Sequence, residues 1–180
     1  MKIFIAGPRA IRTLSNDVVD KLHSIYTKNY TVLVGDASGV DKAVQKYYSE
    51  LNYSNVIVYA SNGKARNNLG NWPVETVPVP SGTKGFEFYA AKDRAMANDA
   101  DYGFMIWNGE SKGTLNNMVN LLNDGKKVLV YLSLKADVKG LSSPLNTIDS
   151  YEQLEKLLLY CPEETRGLYT KLRPSTQMIL

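Results

Sequence analysis

Cysteine and histidine are almost missing from this chain: Cys161 and His23 are the single examples in 180 residues. One cysteine excludes a disulfide framework and a cysteine-rich zinc site. One histidine excludes a Ser-His or Cys-His pair unless His23 supplies it. His23 falls on a helical segment and is read as a solvated or core-edge residue. Cys161 precedes Pro162 with no base nearby and is read as inert. Neither metal nor cofactor is expected. An excess of one charge is also lacking. Lys and Arg number 21 against 18 Asp and Glu, a net charge of +3. So small a balance makes nucleic acid an unlikely partner and argues against a membrane surface. No apolar run approaches the roughly 20 residues of a membrane-spanning helix. The opening MKIFIAG is too short for the core of a signal peptide. A cytoplasmic location is the expectation. Internal repeats and low-complexity segments are absent too.

What is present is an alternation of short apolar runs with amphipathic segments. Residues 2–6, 31–34, 55–60, 102–107 and 127–132 read as strands, each apolar throughout. Helices are expected at 15–27, 39–51, 86–98, 114–123 and 150–160, the first capped by Ser15 or Asn16. Strands of this kind, alternating with helices, belong to a parallel sheet covered on both faces. The expectation is therefore a single-domain α/β fold, a doubly wound, Rossmann-like parallel sheet of about five main strands. The domain is placed at 1–160 and a C-terminal tail at 161–180. Residues 61–84, about 24 in number, show little periodicity, and stretches of that length are functional or mobile. Trp72 there, with Arg66, Asn67 and Asn68, suits either a lid or a loop pinned to the core.

Ligands of such sheets bind beyond the carboxyl ends of the strands. That geometry nominates three segments: Gly7-Pro8-Arg9 after the first strand, Gly35 to Asp41 after the second, and Asn108 to Thr114 after the fourth. The last two are glycine-bearing turns that run into helix N-termini, where free N–H groups and the helix dipole favour an anion such as phosphate. Gly7, Arg9, Gly35, Asp36, Ser38, Gly39, Asp41, Gly109, Ser111, Gly113 and Thr114 are the candidate binding residues. Neither loop is a Walker A motif, and no GxGxxG follows the first strand, so a P-loop NTPase and an ordinary dehydrogenase are disfavoured. Glu87, Ala91, Arg94 and Asn98 share a helical stripe that would present a carboxylate beside a guanidinium.

Gly7-Pro8-Arg9, GDASGVD at 35–41 and NGESKGT at 108–114 together resemble the SLOG superfamily, over roughly residues 1–132. That superfamily includes LONELY GUY phosphoribohydrolases, DprA-like DNA-processing proteins, YpsA-like proteins and nucleotide-sensing domains. The resemblance implies a Rossmann-like fold that binds nucleotides or nucleotide-derived ligands, often as a homodimer. Against the PGGxGTxxE motif of LONELY GUY enzymes, Gly113 and Thr114 match, and Asn117 stands at the position of the hydrolytic glutamate. An amide there cannot serve as acid or base. Alignment on Met96 puts Lys92 at the family's arginine. The leading expectation is thus a protein that binds a nucleotide-type small molecule, with Asn117 among its binding residues. The alternative is an N-glycosidase or ribosyl-transfer enzyme, a hydrolase with Glu87 as carboxylate and Arg94 or Lys92 as anchor. A DNA-processing scaffold would need a basic surface that +3 does not promise.

Overall fold

The structure, a computed structural model, describes residues 1–135, 140–141 and 143–174. Among them, seven strands form one sheet: β1 (Lys2–Ala6), β2 (Thr31–Gly35), β3 (Val56–Ser61), β4 (Val74–Val77), β5 (Tyr102–Trp107), β6 (Val128–Leu132) and β7 (Leu145–Ile148). Their order is β4-β3-β2-β1-β5-β6-β7. All neighbours pair in parallel except β6 and β7, which are antiparallel. Six helices accompany the sheet among the described residues: α1 (Asn16–Thr27), α2 (Val40–Glu50), α3 (Gly85–Asp99), α4 (Lys112–Asn123), α5 (Tyr151–Leu158) and α6 (Glu163–Leu172). The fold is α/β, Rossmann-like and mostly parallel, as the alternation of runs implies.

The pleat splits each apolar run between two cores. Ile3 and Ile5 of β1 join Val18, Leu22, Val44 and Tyr48 on the side of α1 and α2. Phe4 and Ala6 face the other way, onto Met96, Leu115 and Met118 of α3 and α4. A strand buried on both faces has no polar side to show, and that is why these runs carry no period-two pattern. Ser15, Ser111 and Ser150 each accept a hydrogen bond from the backbone N–H three residues on and start α1, α4 and α5.

Two strands and a helix exceed the sequence-based expectation. β4 has only four residues, three of them exposed, at the sheet edge. β7, LNTI, is a second short edge strand. Edge strands bury little, so hydrophobic patterning does not announce them. α6 lies inside the segment read as a tail. Its sequence is polar because only Thr165 and Tyr169 are buried. Thr165 Oγ1 donates to the Gly109 carbonyl at 2.6 Å, and Tyr169 OH donates to Glu155 at 2.8 Å. The closing Met178-Ile179-Leu180 lies outside the described residues.

The 61–84 stretch is pinned rather than loose in its first half. Trp72 is buried and donates its indole N–H to the Tyr53 carbonyl at 2.7 Å. Gln45 donates to the Asn67 carbonyl and accepts from the Leu69 N–H.

After β1 the chain winds outward through β2, β3 and β4, then crosses back to lay β5 on the opposite side of β1. The carboxyl ends of β1 and β5 therefore flank the point where the winding reverses, the place where open α/β sheets bind ligands.

Candidate functional site

At that switch point lies a cavity of about 410 Å³. Its walls come from the turn after β1, the N-terminal half of α3 and the start of α4. Gly7, Arg9, Asp41, Ser111, Gly113 and Thr114 line it, so all three nominated segments reach one space. Lys92 and Asp93 of α3 form part of the wall, as do Phe86, Tyr89 and Arg66.

The inner part is a buried charge cluster. Lys92 Nζ lies 2.6 Å from Asp93 Oδ1, and the lysine side chain is 5% exposed. A Cβ on Gly35 would stand 2.7 Å from Lys92 Nζ and closer still to Asp41 Oδ2, so only glycine leaves room for these two side chains. Asp41 Oδ2 accepts from the Ala37 N–H at 3.1 Å. Burial pushes the Asp41 carboxyl up to about 6, against the opposing pull of Lys92. Burial alone would lower the Lys92 ammonium, but Asp93 and Asp41 outweigh it and hold its pKa above the ordinary lysine value.

Beside this cluster, Asp36 is buried and meets Arg66 in a fork: Nε at 3.0 Å and Nη2 at 2.6 Å, with the Arg66 N–H adding a third bond. Burial raises the Asp36 carboxyl, yet the Arg66 bonds and charge prevail, and its pKa lies below the usual aspartate value. Asp36 is therefore committed to positioning Arg66. The guanidinium lies over the Tyr89 ring, 4.7 Å from its centroid, and the Arg9 guanidinium lies over the same ring at 5.0 Å. Lys112 Nζ stands 4.0 Å from the centroid of Phe86. The cavity thus has an acidic interior with one lysine, and a rim of cations lying on aromatic rings.

The remaining expected residues lie elsewhere. Ser38 and Gly39 line a neighbouring hollow with Arg12, Lys42 and Lys46. Gly39 abuts the Arg9 backbone, so this second basic surface continues the rim. Asn117 is buried and donates to Asp93 Oδ2 at 3.3 Å, supporting the cluster from behind. Gly109 is turned away, toward Leu134 and Cys161. Glu87 and Arg94 both lie on the exposed face of α3, outside the cavity lining, and no ion pair joins them among the described residues. Of the three residues read as catalytic, the cavity receives only Lys92. Burial pushes the Cys161 thiol up to about 12, too high for a nucleophile at neutral pH. Trp107 is fully buried and donates to the Ser111 carbonyl, shaping the loop after β5.

Tyr89, Phe86 and Asp93 carry much of this geometry without being candidates in the sequence reading. The available signal was the spacing of Phe86, Tyr89 and Asp93, which share a stripe of α3 one helical step away from that of Glu87.

No protein-family profile and no curated protein matches this chain. Among solved structures, a DNA processing protein A from Helicobacter pylori, reported for its single-stranded DNA binding mode, superposes with a TM-score of 0.60 at 14% identity. The alignment covers 96% of this chain and 80% of that one. DprA from Streptococcus pneumoniae gives a TM-score of 0.57 at 17% identity, over 86% of this chain and 60% of that one. The fold is DprA-like. This agrees with the SLOG resemblance at the level of architecture.

The DprA-like neighbours correct two expectations. The site was read as a pocket for a nucleotide-type small molecule or, alternatively, for an N-glycosidase. The similar structures are DNA-processing proteins, one of them described binding single-stranded DNA. Nucleic acid was also read as an unlikely partner, and the same neighbours overturn that. The error lay in using a whole-chain charge of +3 to judge a local surface. Cations gathered on one rim, with acids buried beneath or spread elsewhere, leave the sum unchanged. None of the described helices is long and apolar enough to cross a membrane.

Proposed function

We propose that this chain binds single-stranded nucleic acid along the rim of the switch-point cavity. One observation carries the reading: two arginines over Tyr89 and a lysine over Phe86, at the mouth of a cleft that also takes in the N-terminus of α4. Single strands are held by the combination of a cationic track with aromatic faces on which unpaired bases stack. The track continues past Arg9 to Arg12, Lys42 and Lys46. A duplex hides its base faces and cannot use the rings. The likeness to the Helicobacter pylori protein supports the same class of ligand. A cytoplasmic location goes with this reading.

Fluorescence anisotropy with a labelled single-stranded oligonucleotide of about 20 nucleotides tests it. Binding should weaken steeply with salt, and the duplex of the same sequence should bind less well. Tyr89→Ala should lower affinity by about 1–3 kcal/mol, the range for loss of one stacked base. Arg9→Ala should lower the salt slope by about one phosphate contact. Equal affinity for single strand and duplex, or no effect of Tyr89→Ala, would remove the basis of the proposal.

A further inference from the structure

The interior of the cavity does not suit a phosphate. Lys92 faces two carboxylates, Asp41 and Asp93, and the nearby Arg66 is already matched by Asp36. The inner wall is therefore negative, and cations with no ion-pair partner among the described residues lie outside it, at Arg9 and Lys112. A nucleotide meeting this arrangement keeps its phosphate at the rim and turns its base inward.

A polar side chain on the inner wall has no protein partner among the described residues. Asn116 of α4 lines the cavity and is 8% exposed, yet its amide makes no hydrogen bond among the described residues. Its amide atoms open onto the cavity, where a ligand can meet their hydrogen-bonding capacity. Asp93, whose side chain is 18% exposed, shares the cavity; its Oδ1 meets Lys92 and its Oδ2 accepts from Asn117, and each oxygen keeps a further acceptor site. Together they offer a carboxylate acceptor and an amide that both donates and accepts. A carboxylate accepts from the N4 amino group of cytosine, and an asparagine amide reads a base edge that carries one donor and one acceptor.

On the basis of the single-strand reading above, we infer that the cavity selects an unstacked base that carries an exocyclic amino group, with Asp93 and Asn116 as the residues that read it. Thymine is the mismatched case. It is close to cytosine in size but places the O4 acceptor where cytosine has an amino donor. Against Asp93, that oxygen faces a second acceptor.

The test compares labelled oligo-dC and oligo-dT of equal length by anisotropy, on the full chain near neutral pH. Oligo-dC should bind about tenfold or more tightly, within the range given for one well-made base contact. Asn116→Ala should shrink that ratio to within about threefold while leaving the salt slope unchanged, since Asn116 lies away from the cationic rim. This variant removes no hydrogen bond among the described residues. Asp93→Asn, which can present an amide donor to O4, should shrink or reverse the ratio. Equal binding of the two oligonucleotides, or tighter binding of oligo-dT, overturns base selection while leaving single-strand binding in place. Binding of neither overturns both.

Discussion

After β2 the chain runs from Gly35 to Asp41 into α2; after β5 it runs from Asn108 to Thr114 into α4. Both segments place two glycines in a strand-to-helix turn, and both end at a helix N-terminus. In the first, the glycines are filled in from outside. Gly35 lies against the Asp41 and Lys92 side chains, and Gly39, at φ +79°, lies against the backbone of Arg9. Asp36 and Asp41 are buried. In the second, Gly109, at φ +76°, packs against Leu134 and Cys161, but a Cβ on Gly113 would meet nothing within 4 Å, and Gly113 and Ser111 line the cavity. The first loop closes the protein on itself, and the second leaves its helix N-terminus open to a ligand. A glycine pattern reports that backbone comes close to something; whether that something is protein or ligand depends on what the rest of the fold puts there.

The largest effect expected from this contrast is at Gly39. Gly39→Val forces a branched side chain into a glycine-only backbone conformation and against Arg9. It should cost about 3–5 kcal/mol or prevent folding. Denaturant unfolding measures this, and a Gly39→Val variant as stable as the parent would mean the first loop is not the closed one.

Next comes the charge cluster that the first loop shelters. Lys92→Met leaves Asp41 and Asp93 without their cation and should cost about 3–5 kcal/mol at neutral pH. Adding Asp41→Asn should recover part of that loss, since it removes one of the two orphaned charges.

The pH dependence follows from Asp41. Its pKa is raised by burial from 3.8 to about 6, so between those values the folded state holds more protons than the unfolded state. Stability from this group is full below the lower value and falls as pH rises through the window. Asp36, with its lowered pKa, acts in the opposite sense and only toward more acid pH. Thermal melts should therefore show Tm falling between about pH 4 and about pH 6, and Asp41→Asn should flatten that slope.

In the second loop, α6 supplies the support. Thr165→Val removes the donor that satisfies the Gly109 carbonyl and should cost about 1–3 kcal/mol. The smallest effect on stability belongs to Gly113→Val, within about 1 kcal/mol, because its side chain enters open space. The same variant should weaken oligonucleotide binding about tenfold or more by occupying the cavity, a loss that an anisotropy titration reads directly. Loss of stability there as large as at Gly39 would erase the distinction between the loops.

The central strands were legible because each is an apolar run long enough to be buried on two faces, as with KIFIA and YGFMIW. The short edges β4 and β7 were not, and neither was α6, whose hold depends on Thr165 and Tyr169 meeting distant partners. At the site, the loops were legible from glycine and serine next to strand ends. Tyr89 and Phe86 were not, because an aromatic on a helix reads as core until the fold shows it half-exposed beside arginines that are 80 and 23 residues away from Tyr89 in the chain.

By itself the sequence determined the parallel sheet, the order of its helices and the strand ends where a ligand would meet them, since these follow from local periodicity and turn chemistry. The tertiary structure alone decided which glycine loop is filled and which is open. It also decided that Glu87 and Arg94 point to solvent while Lys92 is buried between aspartates. Burial and charge pairing are properties of what lies across space, and no local pattern encodes them.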